Sequence, residues 1–166
     1  LSDVCNNKWN IKQDAGRPIT KAIKELVSKF PKYKNEIELY YSNHRNMIGG
    51  VFENSIRALE SLKNKNVLCY VLSNWSAETF IGMVDDYPFL KKFDGIVLSG
   101  EEEIIKPDKR IYQIAIDRYD LIPSETVFID DNLDNINTAI KLGFNTIHLI
   151  DTNKIKKEIN KIFYKI

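Results

Sequence analysis

The sequence predicts an α/β fold, a parallel sheet with helices on both faces, preceded by a smaller all-helical unit. Three observations carry that expectation. Short apolar runs recur through the second half of the chain, helical periodicities fill the intervals between them, and the first fifty or so residues show helical periodicity without a strong strand candidate. Strand–helix alternation at this pitch is the pattern of a parallel sheet covered on both sides.

In the first part, Ile23, Leu26, Val27 and Phe30 mark one helix, with Thr20 placed to cap it and a turn at Pro31 behind it. Ile37, Tyr40, Tyr41 and Met47 mark a second helical stretch, and Gly49-Gly50 then breaks the pattern. The expected division is a helical unit over residues 1–50 and an α/β core over 51–166. In the core, Ile56, Leu59 and Leu62 give a helix before the first strand, the apolar run Val67 to Leu72. Further strands are expected at Ile96 to Leu98, Val127 to Ile129 and Thr146 to Leu149. Runs this continuous suit strands covered on both faces. Ile111, Ile114 and Ala115 mark an intervening helix, with Pro107 suited to its first position. Ile136, Ala139 and Ile140 mark another, which Leu142-Gly143 ends. The basic tail KIKKEINKIFYK reads as a last amphipathic helix through Ile155, Ile159, Ile162 and Phe163.

At 166 residues the chain is long enough for one domain with a real core. Its 24 Lys and Arg nearly cancel 23 Asp and Glu, so no nucleic-acid stripe or polybasic membrane patch is indicated. No apolar run approaches the ~20 residues of a membrane span, and no signal-peptide pattern opens the chain. The expectation is a soluble, cytoplasmic protein that binds neither nucleic acid nor membrane. Two cysteines are too few for a disulfide framework, and Cys69 is expected to be reduced and buried in its strand. The chain opens on Leu1 rather than Met, which leaves room for an upstream segment.

Ligands of an open parallel sheet bind beyond the carboxyl ends of its strands. There the sequence places Ser73-Asn74-Trp75-Ser76, Ser99-Gly100-Glu101 and Asp130-Asp131-Asn132. Ser73 and Asn74 can cap a following helix, or can offer a hydroxyl and free amides to a phosphate. Lys106, at the positive end of the helix behind Pro107, is poorly placed unless an anion or carboxylate faces it. Asp130 and Asp131 are like charges side by side, and a hard cation such as magnesium, shared with phosphate, would relieve their repulsion. His148 is expected to be packed in the core and His44 to lie on a helix surface. Neither has a zinc-ligand partner at suitable spacing, and no Gly-rich phosphate loop is present.

The segments LSN at 72–74, SGEEEIIKPD at 99–108 and FIDDN at 128–132 resemble, in order and spacing, the second, third and fourth motifs of the haloacid dehalogenase superfamily of hydrolases. WNIKQDAGRPIT at 9–20 and SNWSAETF at 73–80 resemble its subgroup with a helical cap inserted after the first strand. The resemblance implies a Rossmann-like core with a small α-helical cap and a small phosphorylated metabolite as substrate. It implies that Ser73 and the amides near Asn74 bind phosphate, and that Lys106 holds the nucleophile and phosphate charge together. Asp131 would be the magnesium ligand, while Asp130 orients the site or meets the metal through water. Asn135 stands where many relatives carry another acid. Arg17, in the loop between Trp9 and Thr20, is a candidate substrate contact. The family's nucleophile is an aspartate in an Asp-x-Asp motif, and this sequence contains none. The expectation is that this motif ends an upstream strand lying between those that start at Val67 and Val127. The implied activity is magnesium-dependent phosphomonoester hydrolysis through an aspartyl-phosphate. Metal-independent 2-haloacid dehalogenation and a non-catalytic binding module are the alternatives.

Overall fold

The computed structural model describes residues 3–163. Ten helices are present among them: α1 (Asn7–Asp14), α2 (Ile19–Lys29), α3 (Lys34–Ser42), α4 (Glu53–Lys63), α5 (Ala77–Phe80), α6 (Met83–Asp86), α7 (Ser99–Glu102), α8 (Lys109–Tyr119), α9 (Leu133–Lys141) and α10 (Ile155–Phe163). The strands are β1 (Tyr70–Ser73), β2 (Gly95–Leu98), β3 (Val127–Asp130) and β4 (Asn145–His148). The Phe163 side chain and the tail residues Tyr164 and Lys165 lie outside the described residues. Among the described residues, no helix is long and apolar enough to cross a membrane.

All pairing is parallel, as expected, but it forms two ladders rather than one continuous sheet. β1 runs beside β2, with Ser73 opposite Leu98, and β3 beside β4, with Asp130 opposite His148. Among the described residues β1 and β3 do not pair with each other. Two helical layers cover these ladders. On one side Ile111, Tyr112, Ala115 and Ala139 from α8 and α9 close with Val97, Phe128 and Phe144. On the other, Ala58 of α4 and Ile155 and Ile159 of α10 close with Val127, Ile129 and Ile147. Phe128 thus faces one layer and its neighbours Val127 and Ile129 the other, the period-two alternation of a strand.

The first strand is shorter than its apolar run. Asp94 captures Cys69 instead of letting the ladder start there: its carboxylate accepts the Cys69 N–H at 2.7 Å and its own N–H donates to the Cys69 carbonyl at 2.8 Å. Leu68 is left 65% exposed and Cys69 only half-buried, against the expectation of a covered strand.

The cap has its own core, Val4, Trp9, Ala22, Leu26 and Ile37. The stretch between Trp9 and Thr20, read from sequence as a loop, is helical up to Asp14 as part of α1, because the Asn6 side chain accepts the Trp9 N–H and the i,i+4 pair Trp9 and Gln13 is buried. α2 begins at Ile19 rather than behind a Thr20 cap. Glu78 of the core takes the capping role, its carboxylate accepting the Ile19 N–H at 2.8 Å. The second cap helix stops at Ser42, and His44–Met47 is a separate 3-10 turn that leaves Met47 half exposed. Pro107 does not open α8; Asp108 caps it by accepting the Arg110 N–H.

Candidate active site at the carboxyl ends of the strands

Asp130 ends β3 with its side chain 7% exposed, and the Lys106 ammonium, itself 10% exposed, meets it at 2.7 Å. The same carboxylate accepts the Asn132 N–H at 2.8 Å and an Asn135 amide N–H at 3.0 Å. Burial alone would raise the Asp130 pKa; the Lys106 ion pair, helped by the Asn132 and Asn135 donors, outweighs it and holds the carboxyl below its ordinary value. This changes the expected answer to the adjacent acids. Alternation at the strand end turns Asp130 inward, where a lysine neutralises it, and leaves Asp131 exposed. Asn135, where the resemblance implied a further acid, is a donor to Asp130.

Lys106 is held from both ends. Its backbone N–H donates to the Asn74 side-chain oxygen at 2.8 Å, and its carbonyl accepts from the Asn74 amide nitrogen at 3.0 Å. The Asn74 side chain is therefore a clamp that joins the end of β1 to the lysine, and only its backbone is left for a ligand. The Ser73 hydroxyl makes no hydrogen bond among the described residues and is half-buried at the end of β1.

Sequence reasoning placed Ser99 at a strand end but gave it no role. Fully buried, it accepts the Trp75 N–H at 2.9 Å and donates to the Asp14 carbonyl of the cap at 2.5 Å. One hydroxyl so ties the β1 loop to the cap. Gly100 makes the close approach possible, since a Cβ there would sit 2.3 Å from the Ala77 nitrogen. The only signal in the sequence was a small-residue pair, Ser99-Gly100, directly behind an apolar run.

Arg17 is not brought to this group. Its guanidinium donates to Gln13 at 2.8 Å and to Glu25 at 2.7 Å within the cap. His148, expected in the core, is exposed, with Nε2 2.9 Å from the Asp131 carbonyl. His44, expected on a helix surface, instead has its Nδ1 buried.

Among the described residues no three His, Cys, Asp or Glu side chains converge as a metal cage. Asp131 is nevertheless a hard oxygen donor without a hydrogen bond or ion pair to its side chain among those residues. It lines a groove of about 600 Å³ with Asp130, Asp151, Phe52 and Ile150. One carboxylate with phosphate and water as the remaining ligands is how magnesium is commonly held, so the residues fit that ion.

A family model described as haloacid dehalogenase-like hydrolase matches residues 7–149. The chain is 33% identical over 103 residues to (S)-2-haloacid dehalogenase 1 of Pseudomonas sp., covering 62% of this chain and 45% of that protein. It is 31% identical over 104 residues to a sesquiterpene phosphatase of Aspergillus oryzae, covering 63% and 53%. The chain thus spans about half the length of these curated relatives. In fold it is similar to an enzyme of the same family from Bacteroides thetaiotaomicron, solved with magnesium and inorganic phosphate. The TM-score is 0.69 at 21% identity, over 82% of this chain and 71% of the other. The match of the family model over most of the sequence, joined to the strand-end site, means that the chain belongs to the haloacid dehalogenase-like hydrolases.

Proposed function

We propose that the whole protein is a magnesium-dependent hydrolase of a small phosphomonoester that works through an aspartyl-phosphate. The observation that carries this is the division of labour between the adjacent acids: Asp130 is neutralised by Lys106, and Asp131 stands exposed beside it. The nucleophile in this scheme is an aspartate on a further strand between β1 and β3. Its carboxylate oxygen attacks phosphorus, the ester P–O bond breaks and the departing alkoxide takes a proton from water, which the hydrolytic second step returns. Water then cleaves the acyl phosphate and releases inorganic phosphate.

The chain's own residues prepare the charge. An ammonium carries three N–H donors; Lys106 points one at Asp130 and has two for the incoming aspartate and phosphoryl oxygens. The Asn74 clamp fixes the backbone from which it reaches, so little reorganisation is needed as charge develops. Ser73 supplies a free hydroxyl to a second phosphoryl oxygen. Magnesium bound at Asp131 supplies further neutralisation of phosphate charge.

The test is phosphate release by the whole protein with and without magnesium, in parent and Asp131→Ala. Loss of about a hundredfold or more, with an unchanged circular dichroism spectrum, is expected. Undiminished turnover in the variant would remove the assignment. The relation to a haloacid dehalogenase supports a second reading, metal-independent 2-haloacid dehalogenation. Halide release without added metal, untouched by Asp131→Ala, would favour it.

A further inference from the structure

A second, smaller cavity of about 180 Å³ lies where the cap meets the core, among Asn10, Asp14, Tyr41, His44, Trp75 and Thr79. Three of these come from α1 and α3 and one from the 3-10 turn, while Trp75 follows directly on Ser73 and Asn74 and Thr79 lies in α5. Asn74 also lines the cavity, which therefore adjoins the residues assigned to phosphate. At a water's share of ~30 Å³ it has room for about six heavy atoms.

Its wall is polar and almost fully satisfied. The Tyr41 hydroxyl donates to Asn10 at 2.7 Å and accepts from Gln13 at 2.8 Å. The Trp75 indole N–H donates to Thr79 at 2.9 Å. Asn10 reaches Asp14 only at 3.5 Å. One atom is left over: His44 Nδ1 is buried and has no hydrogen-bond partner among the described residues. Its ring is fixed by stacking on Tyr41, centroids 6.4 Å apart, and by an edge contact to Trp75 at 5.9 Å. A buried ring nitrogen without a partner carries a desolvation cost that a hydrogen-bonding ligand removes. Burial pushes the His44 pKa down, so the ring is neutral at pH 7 and offers a donor or an acceptor according to its tautomer. A hydroxyl group satisfies either.

Charge narrows the class further. Among the described residues Asp14 is the one carboxylic acid of the wall, and no lysine or arginine lines it. The nearby Arg17 is held by Gln13 and Glu25. A carboxylate or second phosphate entering here would meet Asp14 without a compensating cation, whereas a neutral alcohol would not. Resting on the phosphomonoester reading above, we propose that this cavity is the subsite for the alcohol part of the substrate, and that it selects a short, neutral, hydroxylated alcohol through His44, Asp14 and Asn10.

The probes are glycerol 1-phosphate, n-propyl phosphate, which has the same chain without hydroxyls, and phosphoglycolate, which carries a carboxylate. With the whole protein, kcat/KM for glycerol 1-phosphate is expected to exceed both others by about tenfold or more. In His44→Phe, which keeps an aromatic ring between Tyr41 and Trp75, the ratio to n-propyl phosphate should fall to within about twofold. Equal rates for the probes in the parent, or an unchanged ratio in the variant, overturn the subsite while leaving the phosphatase reading intact. The imidazole nitrogen resonances of His44 give a readout without turnover. Glycerol 1-phosphate should shift Nδ1 and n-propyl phosphate should not, and the same response to both overturns the proposal. Absence of phosphate release from every probe overturns the phosphatase reading instead, and the nitrogen shifts then decide the cavity alone.

Discussion

Replacing Lys106 by Met removes a buried cation while keeping a side chain of similar reach. The partner left behind, Asp130, is only 7% exposed, so its charge cannot be handed to water. Removing one partner of a buried pair typically costs about 3–5 kcal/mol. Here the Asn132 and Asn135 N–H donors remain on the carboxylate, which brings the loss just below that range, to about 2–3 kcal/mol at pH 7. The pH dependence follows from the sign of the shift. In the parent the Asp130 carboxyl is held below its ordinary value. Its contribution is thus fully present above the unfolded value of about 4 and is lost as pH falls through the folded one. In the variant, burial dominates and the carboxyl shifts upward, so protonation relieves the unpaired charge in mild acid. Urea unfolding followed by circular dichroism should therefore show a deficit at pH 7 that narrows as pH approaches 4. Adding Asp130→Asn to the variant should recover part of the loss at pH 7, because it removes the stranded charge. A variant within about 0.5 kcal/mol of the parent at pH 7, or a deficit that is constant with pH, would refute the assignment of a coupled buried pair.

Two further outcomes probe how the cap is attached. Burial, partly offset by the Ser76 N–H, pushes the Asp14 carboxyl from 3.8 up to about 6, so the folded state binds more protons and stability falls as pH rises from about 4 to 6. The full shift corresponds to about 3 kcal/mol, and screening of a half-buried group reduces it to about 1–2. Asp14→Asn should flatten that slope and raise stability at pH 7 by that amount, measured by urea unfolding at several pH values; an unchanged slope would count against the shift. Ser99→Ala leaves the Trp75 N–H and the Asp14 carbonyl without their shared partner, and should cost about 1–3 kcal/mol. Faster hydrogen exchange at Trp75 would locate the loss, and exchange equal to the parent would argue against the bridge.

The layered core was legible because burial acts on residue type at a fixed period. Ile111 and Ala115, or Ile136 and Ala139, recur at helical spacing, and those residues close the core. The ends of elements were less legible, since they are set by partners distant in sequence. Nothing local at Ile19 announces that Glu78 will cap it, and nothing in Val67 to Leu72 announces that Asp94 will hold Cys69 out of the ladder. The site divides in the same way. Lys106 stood out through its awkward position before Pro107, and the family motifs located Ser73, Asp130 and Asp131. The pairing of Lys106 with Asp130 joins residues 24 apart in sequence, and the Ser99 bridge to Asp14 joins residues 85 apart. Local pattern cannot supply either contact. His44 and His148 were misplaced for a related reason, because a histidine has no strong preference for inside or outside until its neighbours are known.

The charge balance at the strand ends bears on what a metal would contribute to the proposed reaction. Three carboxylates line the large groove, Asp130, Asp131 and Asp151. Lys106 meets Asp130 at 2.7 Å and Lys154 meets Asp151 at 3.5 Å. Asp131 is the one of the three without an ion-pair partner among the described residues. A phosphomonoester arriving as a dianion would therefore meet a site with one uncompensated negative charge, in addition to the attacking aspartate of the proposed scheme. Lys106 cannot correct this alone, since its charge is already shared with Asp130. Placing a divalent cation at Asp131 reverses the balance and lets Lys106 keep its fixed position between carboxylate and phosphate. A 2-haloacid is a monoanion whose reaction transfers no phosphoryl group, so it creates no such demand and leaves the exposed Asp131 beside Asp130 without a role. The metal-dependent reading is preferred because it gives both neighbouring acids separate work: one holds the lysine and the other holds the cation that phosphate chemistry requires.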